Sequence, residues 1–178
     1  MRPASALSIL TLSCALLAGC AGVTPDAYVA QKPVLELDRY FNGTVDAWGV
    51  VTDRSGMVIR RFTVVMQCTW IGNRGTLDED FTYSDGAREK RVWTITKTAP
   101  GRYTGTAGDV VGSAIGTAAG NALNWRYVLD VPVGESHYHV DFDDWMYLMD
   151  EDVMLNRAVM SKFGVRLGEI MLSFRRRK

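Results

Sequence analysis

Four charged residues stand where a strand pattern calls for apolar ones: Glu79, Arg91, Asp144 and Arg157. Glu79 interrupts the series Leu77, Phe81, Tyr83, and Arg91 shares its alternation with Trp93 and Ile95. Asp144 lies between Phe142 and Met146, and Arg157 alternates with Leu155 and Val159. Residues two apart point to one face of a strand, so all four are aimed at an interior. A charge taken out of water must be paired or reached by water. Two chemistries meet that requirement. One is a set of structural ion pairs. The other is a polar patch at the end of a ligand cavity, in which the two guanidinium groups would take a carboxylate head group.

Other reactive side chains carry less. His137 and His139 share one strand face, which suits metal chelation, but they follow a turn on a polar face and read as solvated. Cys68 alternates with Phe62, Val64, Met66 and Trp70 and reads as a small buried hydrophobe. The acids between Asp141 and Asp152 lack the glycine and spacing of a calcium loop. No phosphate-binding loop, serine elbow or Cys/His metal spacing occurs, so no catalytic residue, metal or cofactor is assigned. A lipid-acting enzyme with an unrecognised acid/base pair is the third-ranked reading.

The elements that must position the four charges are strands. The segment 121–174 divides into four antiparallel strands joined by turns at Val133-Gly134, Asp150-Glu151 and Phe163-Gly164. With two-residue loops, Trp125 faces Phe142, Tyr127 faces Val140 and Leu129 faces Tyr138 on the inner side, while Arg126 faces Asp141 on the outer side. The same rule sets Met146 opposite Leu155, Leu155 opposite Leu172, and Asp144 opposite Arg157.

From Thr44 onward, turn signals recur about every ten residues. Strands are expected near 44–52, 57–70, 76–83, 88–97, 102–109, 113–119, 122–131, 136–149, 153–161 and 165–174. The fold class is therefore all-β: an antiparallel meander of 8–10 strands closing into a lipocalin-like barrel or half-barrel, with a sandwich as runner-up. Gly112, Ala114, Gly116, Ala118 and Gly120 leave one strand face almost bare, room best filled by tryptophan. Arg175–Lys178 reads as a frayed basic tail. With 47% apolar residues and five tryptophans the chain is not disordered, and its balanced formal charge argues against a nucleic-acid partner.

The start of the chain is an address. Arg2, the apolar run Leu7–Ala18 and Leu17-Ala18-Gly19-Cys20 together are similar to the signal and lipobox of bacterial lipoproteins. Residues 1–19 are then removed, and Cys20 is lipidated. In that pattern Ala21 directs the protein to the outer membrane, where acyl chains hold it at the periplasmic face. Residues 20–33 form the lipidated cysteine and tether, and 34–178 a single domain, whose first residues 34–41 read as a helical turn or an extended lead-in. Cys14 and Cys20 lie in or beside the signal, so Cys68 has no disulfide partner in the domain.

The runs YFNGTVDAWGVVTDRSG, RRFTV, GTLDEDFTYSDG, RVWTI, GNALNWRY and FDDWMYLMDEDVMLNRAVMSKFG resemble a bacterial lipoprotein family known only as domain of unknown function 3833. The resemblance spans residues 41–174. It implies lipocalin-like architecture, carries no catalytic residue across, and through neighbouring genes for fatty-acid-modifying enzymes points toward lipids. The function expected is an outer-membrane lipoprotein that binds a lipid, such as a fatty acid, or another small apolar ligand, with Arg91, Arg157, Glu79 and Asp144 at the polar end of the cavity. A structural or assembly lipoprotein with a filled barrel is the alternative.

Overall fold

The computed structural model describes residues 22–178; the signal, Cys14 and Cys20 lie outside the described residues. Ten strands follow in order: β1 (Gly43–Asp53), β2 (Val58–Ile71), β3 (Arg74–Tyr83), β4 (Arg88–Ala99), β5 (Arg102–Thr106), β6 (Ala114–Ala119), β7 (Ala122–Val133), β8 (Ser136–Leu148), β9 (Val153–Lys162) and β10 (Val165–Arg176). Each pairs antiparallel with its neighbours in sequence, and β1 also pairs with β10, so the meander closes into a barrel. Closure removes the open edges that a half-barrel or sandwich would leave. The ten strands match those expected from the turn spacing, except that β5 stops at Thr106 rather than continuing to Asp109.

Alternation builds the core. In β2, Phe62, Val64, Met66 and Cys68 are buried and the residues between them face water. A short helix α1 (Leu37–Tyr40) plugs one end of the barrel. Its N-terminus is tied by Leu35 N–H donating to the Gly120 carbonyl (2.8 Å) and Leu37 N–H to the Tyr103 hydroxyl (3.4 Å). Phe41 packs edge-on against Phe174, and Lys97 bonds both Asp38 oxygens (3.0 and 3.1 Å). Leu35, Leu37, Tyr40 and Phe41 are all buried, at roughly 1.5–3 kcal/mol for a large apolar side chain. Upstream, a 3₁₀ turn at Pro25–Tyr28 lays Tyr28 against Trp145 and Tyr147.

Three registers differ from expectation, and each has a local cause. Between β7 and β8 the loop is Gly134-Glu135, because the first loop position has positive φ (60°) and glycine tolerates it. The pairing therefore slips by two: Trp125 faces Asp144, Tyr127 faces Phe142, Leu129 faces Val140 and Arg126 faces Asp143. A two-residue slip preserves which face is inside. Between β8 and β9 the loop has three residues, Asp150–Asp152, held by the Asp150 carboxylate accepting from Asp152 N–H (2.8 Å) and Val153 N–H (2.7 Å). The slip there is one residue, which inverts β9. Met146 now faces Asn156 and Asp144 faces Ala158, while Arg157 sits opposite Trp145. Phe163-Gly164 is the turn expected before β10, with both φ positive (52° and 76°), but a bulge between Arg166 and Gly168 shifts the pairing again, so Leu172 meets Asn156 rather than Leu155. A Cβ at Gly168 would strike the Thr52 carbonyl, which is why the bulge needs glycine there.

Two further expectations resolve. Gly116 and Gly105 lie under the Trp125 indole, so tryptophan does fill the bare face; Gly112 and Gly120 instead sit at positive φ in turns. The basic tail is not frayed. Arg176 belongs to β10, Arg177 clamps both Asp46 oxygens (2.6 and 2.7 Å), and Lys178 reaches Asp152 (3.0 Å).

Candidate functional site

Inside the barrel is a cavity of about 120 Å³. Its apolar wall includes Phe62, Phe81, Trp93, Trp125 and Tyr127, and α1 contributes Leu37 at the plugged end. The rings interlock: Trp93 meets Trp125 and Tyr127 edge-on at 5.7 and 5.5 Å, and Tyr127 stacks on Phe142 at 4.9 Å. Four polar side chains break this wall: Glu79, Arg91, Asp144 and Asn156.

Three of the four charges expected inside are therefore there. Glu79 and Arg91 are direct cross-strand neighbours on β3 and β4. Asp144, 6% exposed, comes from β8. Arg157 does not join them, and the expected Asp144–Arg157 opposition is corrected. The one-residue slip in β9 turns Arg157 outward, 56% exposed, where it pairs with Glu169 beside Arg166. Asn156 takes the inner position and donates through Nδ2 to the Asp144 carboxylate.

Arg91 is committed to a partner that the strand pattern did not reveal. Asp109 lies in the β5–β6 loop, which folds back so that Asp130 N–H donates to the Asp109 carbonyl (2.9 Å) and Val110 bridges to Leu129. The Asp109 carboxylate then accepts from Arg91 Nε (3.0 Å) and from a terminal guanidinium nitrogen (2.6 Å). The sequence pattern placed Asp109 at the end of an expected strand, 102–109, and gave no sign of this contact; the strand instead stops at Thr106 and leaves Asp109 in the loop. Glu79 is different. It is 9% exposed and, among the described residues, forms no hydrogen bond or ion pair, although Arg91 is its neighbour.

Burial dominates the titration of these groups. It pushes Glu79 up to about 8; Arg91 draws it back, while Asp109, Asp144 and Glu89 add to the rise. Asp144 is pushed up to about 7, again by burial, against the hydrogen bond from Asn156 and with Asp143 adding. Burial would favour loss of the Arg91 proton, and Glu79 and Asp109 more than offset that. Cys68 is raised to about 12 by burial and then by Glu79, which makes it unreactive. His137 sits exposed, 3.0 Å from Asp130.

The raised carboxyls carry a pH prediction. Each is protonated in the fold at pH values where the unfolded chain has it ionised. The native state then binds more protons, so stability falls as pH rises from the ordinary carboxylate range to about 8. Surface acids held low, such as Asp46 and Asp53, act oppositely but only on the acid side of that window. The urea midpoint should decline between about pH 5 and about pH 8, and Glu79→Gln should flatten the upper part of the decline. A midpoint that rises across this window would contradict a buried, unpaired Glu79.

The family described as "Protein of unknown function (DUF3833)" matches residues 14–176. No curated protein matches the sequence. Among solved structures, the S-type phycobiliprotein lyase from Guillardia theta has a TM-score of 0.59 at 6% identity, covering 81% of this chain and 94% of its own. A protein of unknown function of the DUF3598 family from Nostoc punctiforme has a TM-score of 0.50 at 12% identity, covering 88% of this chain and 53% of its own. At these identities the likeness is one of fold, a lipocalin-like barrel.

Proposed function

The chain belongs to the DUF3833 family, and from that starting point we propose that its barrel receives a small apolar or amphipathic molecule while a lipid on Cys20 holds it at the periplasmic face of the outer membrane. The observation that carries the binding reading is the interior cavity of about 120 Å³, walled by aromatic rings and broken by Glu79, Arg91, Asp144 and Asn156. Buried charges are weak support for a purely structural barrel, because well-packed apolar residues of similar size are often as stable or more so. Small-molecule sites have this composition: an apolar wall with a few convergent polar groups. A fatty-acid carboxylate is not favoured at this polar end. Arg91 is already bidentate on Asp109 and Arg157 is outside.

Native mass spectrometry of the signal-free domain, with extraction and identification of bound small molecules, tests the binding reading. A co-purifying ligand lost in Trp93→Ala is the expected result. A ligand-free protein, in which no small apolar probe shifts the melting temperature, would favour a structural or assembly role.

The anchoring reading rests on Leu17–Cys20 and has its own test. A palmitate analogue should label the full chain in a bacterial host, and Cys20→Ser should remove the label and release the protein from the membrane fraction. Label persisting on that variant would defeat both the anchor and the localisation.

A further inference from the structure

Resting on the binding reading, we infer that the molecule the barrel takes is an organic cation, a protonated amine on a small apolar or aromatic body, with Glu79 as its counter-ion and Asp144 as a second acceptor.

Charge balance around the cavity is the first argument. Arg91 and Asp109 satisfy one another. That leaves two carboxyls on the wall, Glu79 and Asp144, and no uncommitted cation among the described residues that line it. A carboxylate ligand would meet two acids; a neutral hydrocarbon would leave Glu79 without a partner and Asp144 with only the Asn156 amide. An ammonium group supplies what the wall lacks: a positive charge and up to three N–H donors.

Glu79 is the second argument. It is more than nine-tenths buried, lines the cavity, and has no hydrogen-bonding partner among the described residues. Buried polar groups are rarely left unpaired, and one aimed into a cavity calls for a partner from outside the chain. Asp144 is only half served, by the Asn156 amide.

The wall is the third. Trp93, Trp125, Phe81 and Tyr127 line the same cavity as these acids, and an aromatic face attracts a cation as well as an apolar body. The volume bounds the ligand. A cavity of about 120 Å³ is somewhat below the roughly 150 Å³ engineered cavity that holds benzene, so the buried part is at most the size of one small ring, amine included.

Proton linkage follows. Burial favours the protonated acids, and a cation favours the ionised ones, so binding should expel protons and strengthen as pH rises. The groups that bias Glu79 are Arg91 on β4, Asp109 in the β5–β6 loop, Asp144 on β8 and Glu89 near the start of β4, while Cys68 on β2 and Tyr127 on β7 feel its charge in turn.

The test is calorimetric titration of the whole signal-free domain with benzylamine, benzyl alcohol and benzoate, which share one ring and differ in charge. Titrations at about pH 6 and about pH 8, in buffers of different ionisation enthalpy, report proton release. Benzylamine should bind tightest, release protons, and bind more strongly at the higher pH. Glu79→Gln should weaken it by at least about tenfold, the scale of one charge-assisted hydrogen bond, and Asp144→Asn by a smaller factor. A cooperative urea transition with the parent's slope shows that the Glu79→Gln variant is folded. Benzoate binding as tightly as benzylamine overturns the inference, as does benzylamine binding indifferent to Glu79→Gln. Benzyl alcohol as the preferred probe overturns the charge assignment but leaves the binding reading standing. No binding by any of the three, together with a ligand-free mass spectrum, overturns both.

Discussion

Arg91→Met should destabilise the domain by about 3 kcal/mol, read as a lowered urea midpoint with unchanged slope. The guanidinium is the hub of the interior polar network. It donates to both Asp109 oxygens and stands opposite Glu79. Methionine keeps much of the side-chain length and apolar packing, so the loss is electrostatic. Two carboxyls lose their compensation at once. Breaking a buried pair from one side costs about 3–5 kcal/mol because the remaining charge is uncompensated. The lower end applies here, since the Asp109 side chain is 31% exposed and water relieves part of the loss. The pH dependence identifies the cause. Arg91 holds the Glu79 pKa down, so its removal raises that pKa further and the penalty grows as pH increases toward and beyond about 8. Arg91→Met combined with Asp109→Asn should recover a substantial part of the loss. If the single variant melts like the parent at neutral pH, the Arg91–Asp109 pair is solvated and the polar end of the cavity is misassigned.

Gly116→Val should cost about as much for a different reason, lowering the melting temperature by about 10 °C in a domain of this size. Gly116 faces Trp125 across the β6–β7 pair, and a Cβ there would overlap the indole, with the Tyr103 Cβ only 3.2 Å away. Trp125 has little room to retreat, because its ring also lies over Gly105 and Trp93 abuts its edge. Valine must therefore push β6 outward or force the indole off its rotamer. The partner variant shows whether the indole is the obstacle. Trp125→Leu removes bulk and is itself destabilising, by about 3 kcal/mol at most for a shrinkage less severe than alanine. In that background Gly116→Val should cost at least about 1 kcal/mol less, the coupling expected of two residues in contact. Equal costs in both backgrounds would mean that β6 is disturbed by something other than the tryptophan. The same pair governs the site, since Trp125 forms part of the cavity wall.

Strands and turns were legible because each is written in neighbouring residues. Alternation of period two marks a strand wherever one face is wet, and the turns at Gly56, Gly72, Gly86, Gly101, Gly120, Gly134 and Gly164 each carry a glycine at positive φ. Glu79, Arg91 and Asp144 could be picked out as inward charges by the same rule, because in β3, β4 and β8 the flanking apolar residues settle the face. The DUF3833 resemblance, carried by long runs of sequence, agrees with the family match and with the lipocalin-like barrel.

What only the tertiary structure decided was parity and closure. Arg157 sits in a strand whose two faces are both partly apolar, so local pattern cannot orient it. Its side depends on whether the preceding loop holds two residues or three, and the Asp150 carboxylate binding Asp152 and Val153 N–H makes it three. One residue of slip sends Arg157 to solvent and brings Asn156 to Asp144. Asp109 reaches Arg91 only because the β5–β6 loop folds back on β7, a contact between residues with no periodic relation. Closure of β1 on β10 and the seating of α1 in the barrel end are likewise long-range, paid for by buried area rather than by any local preference. The amino-acid pattern determined that charges enter the barrel; the loop geometry determined which of them meet.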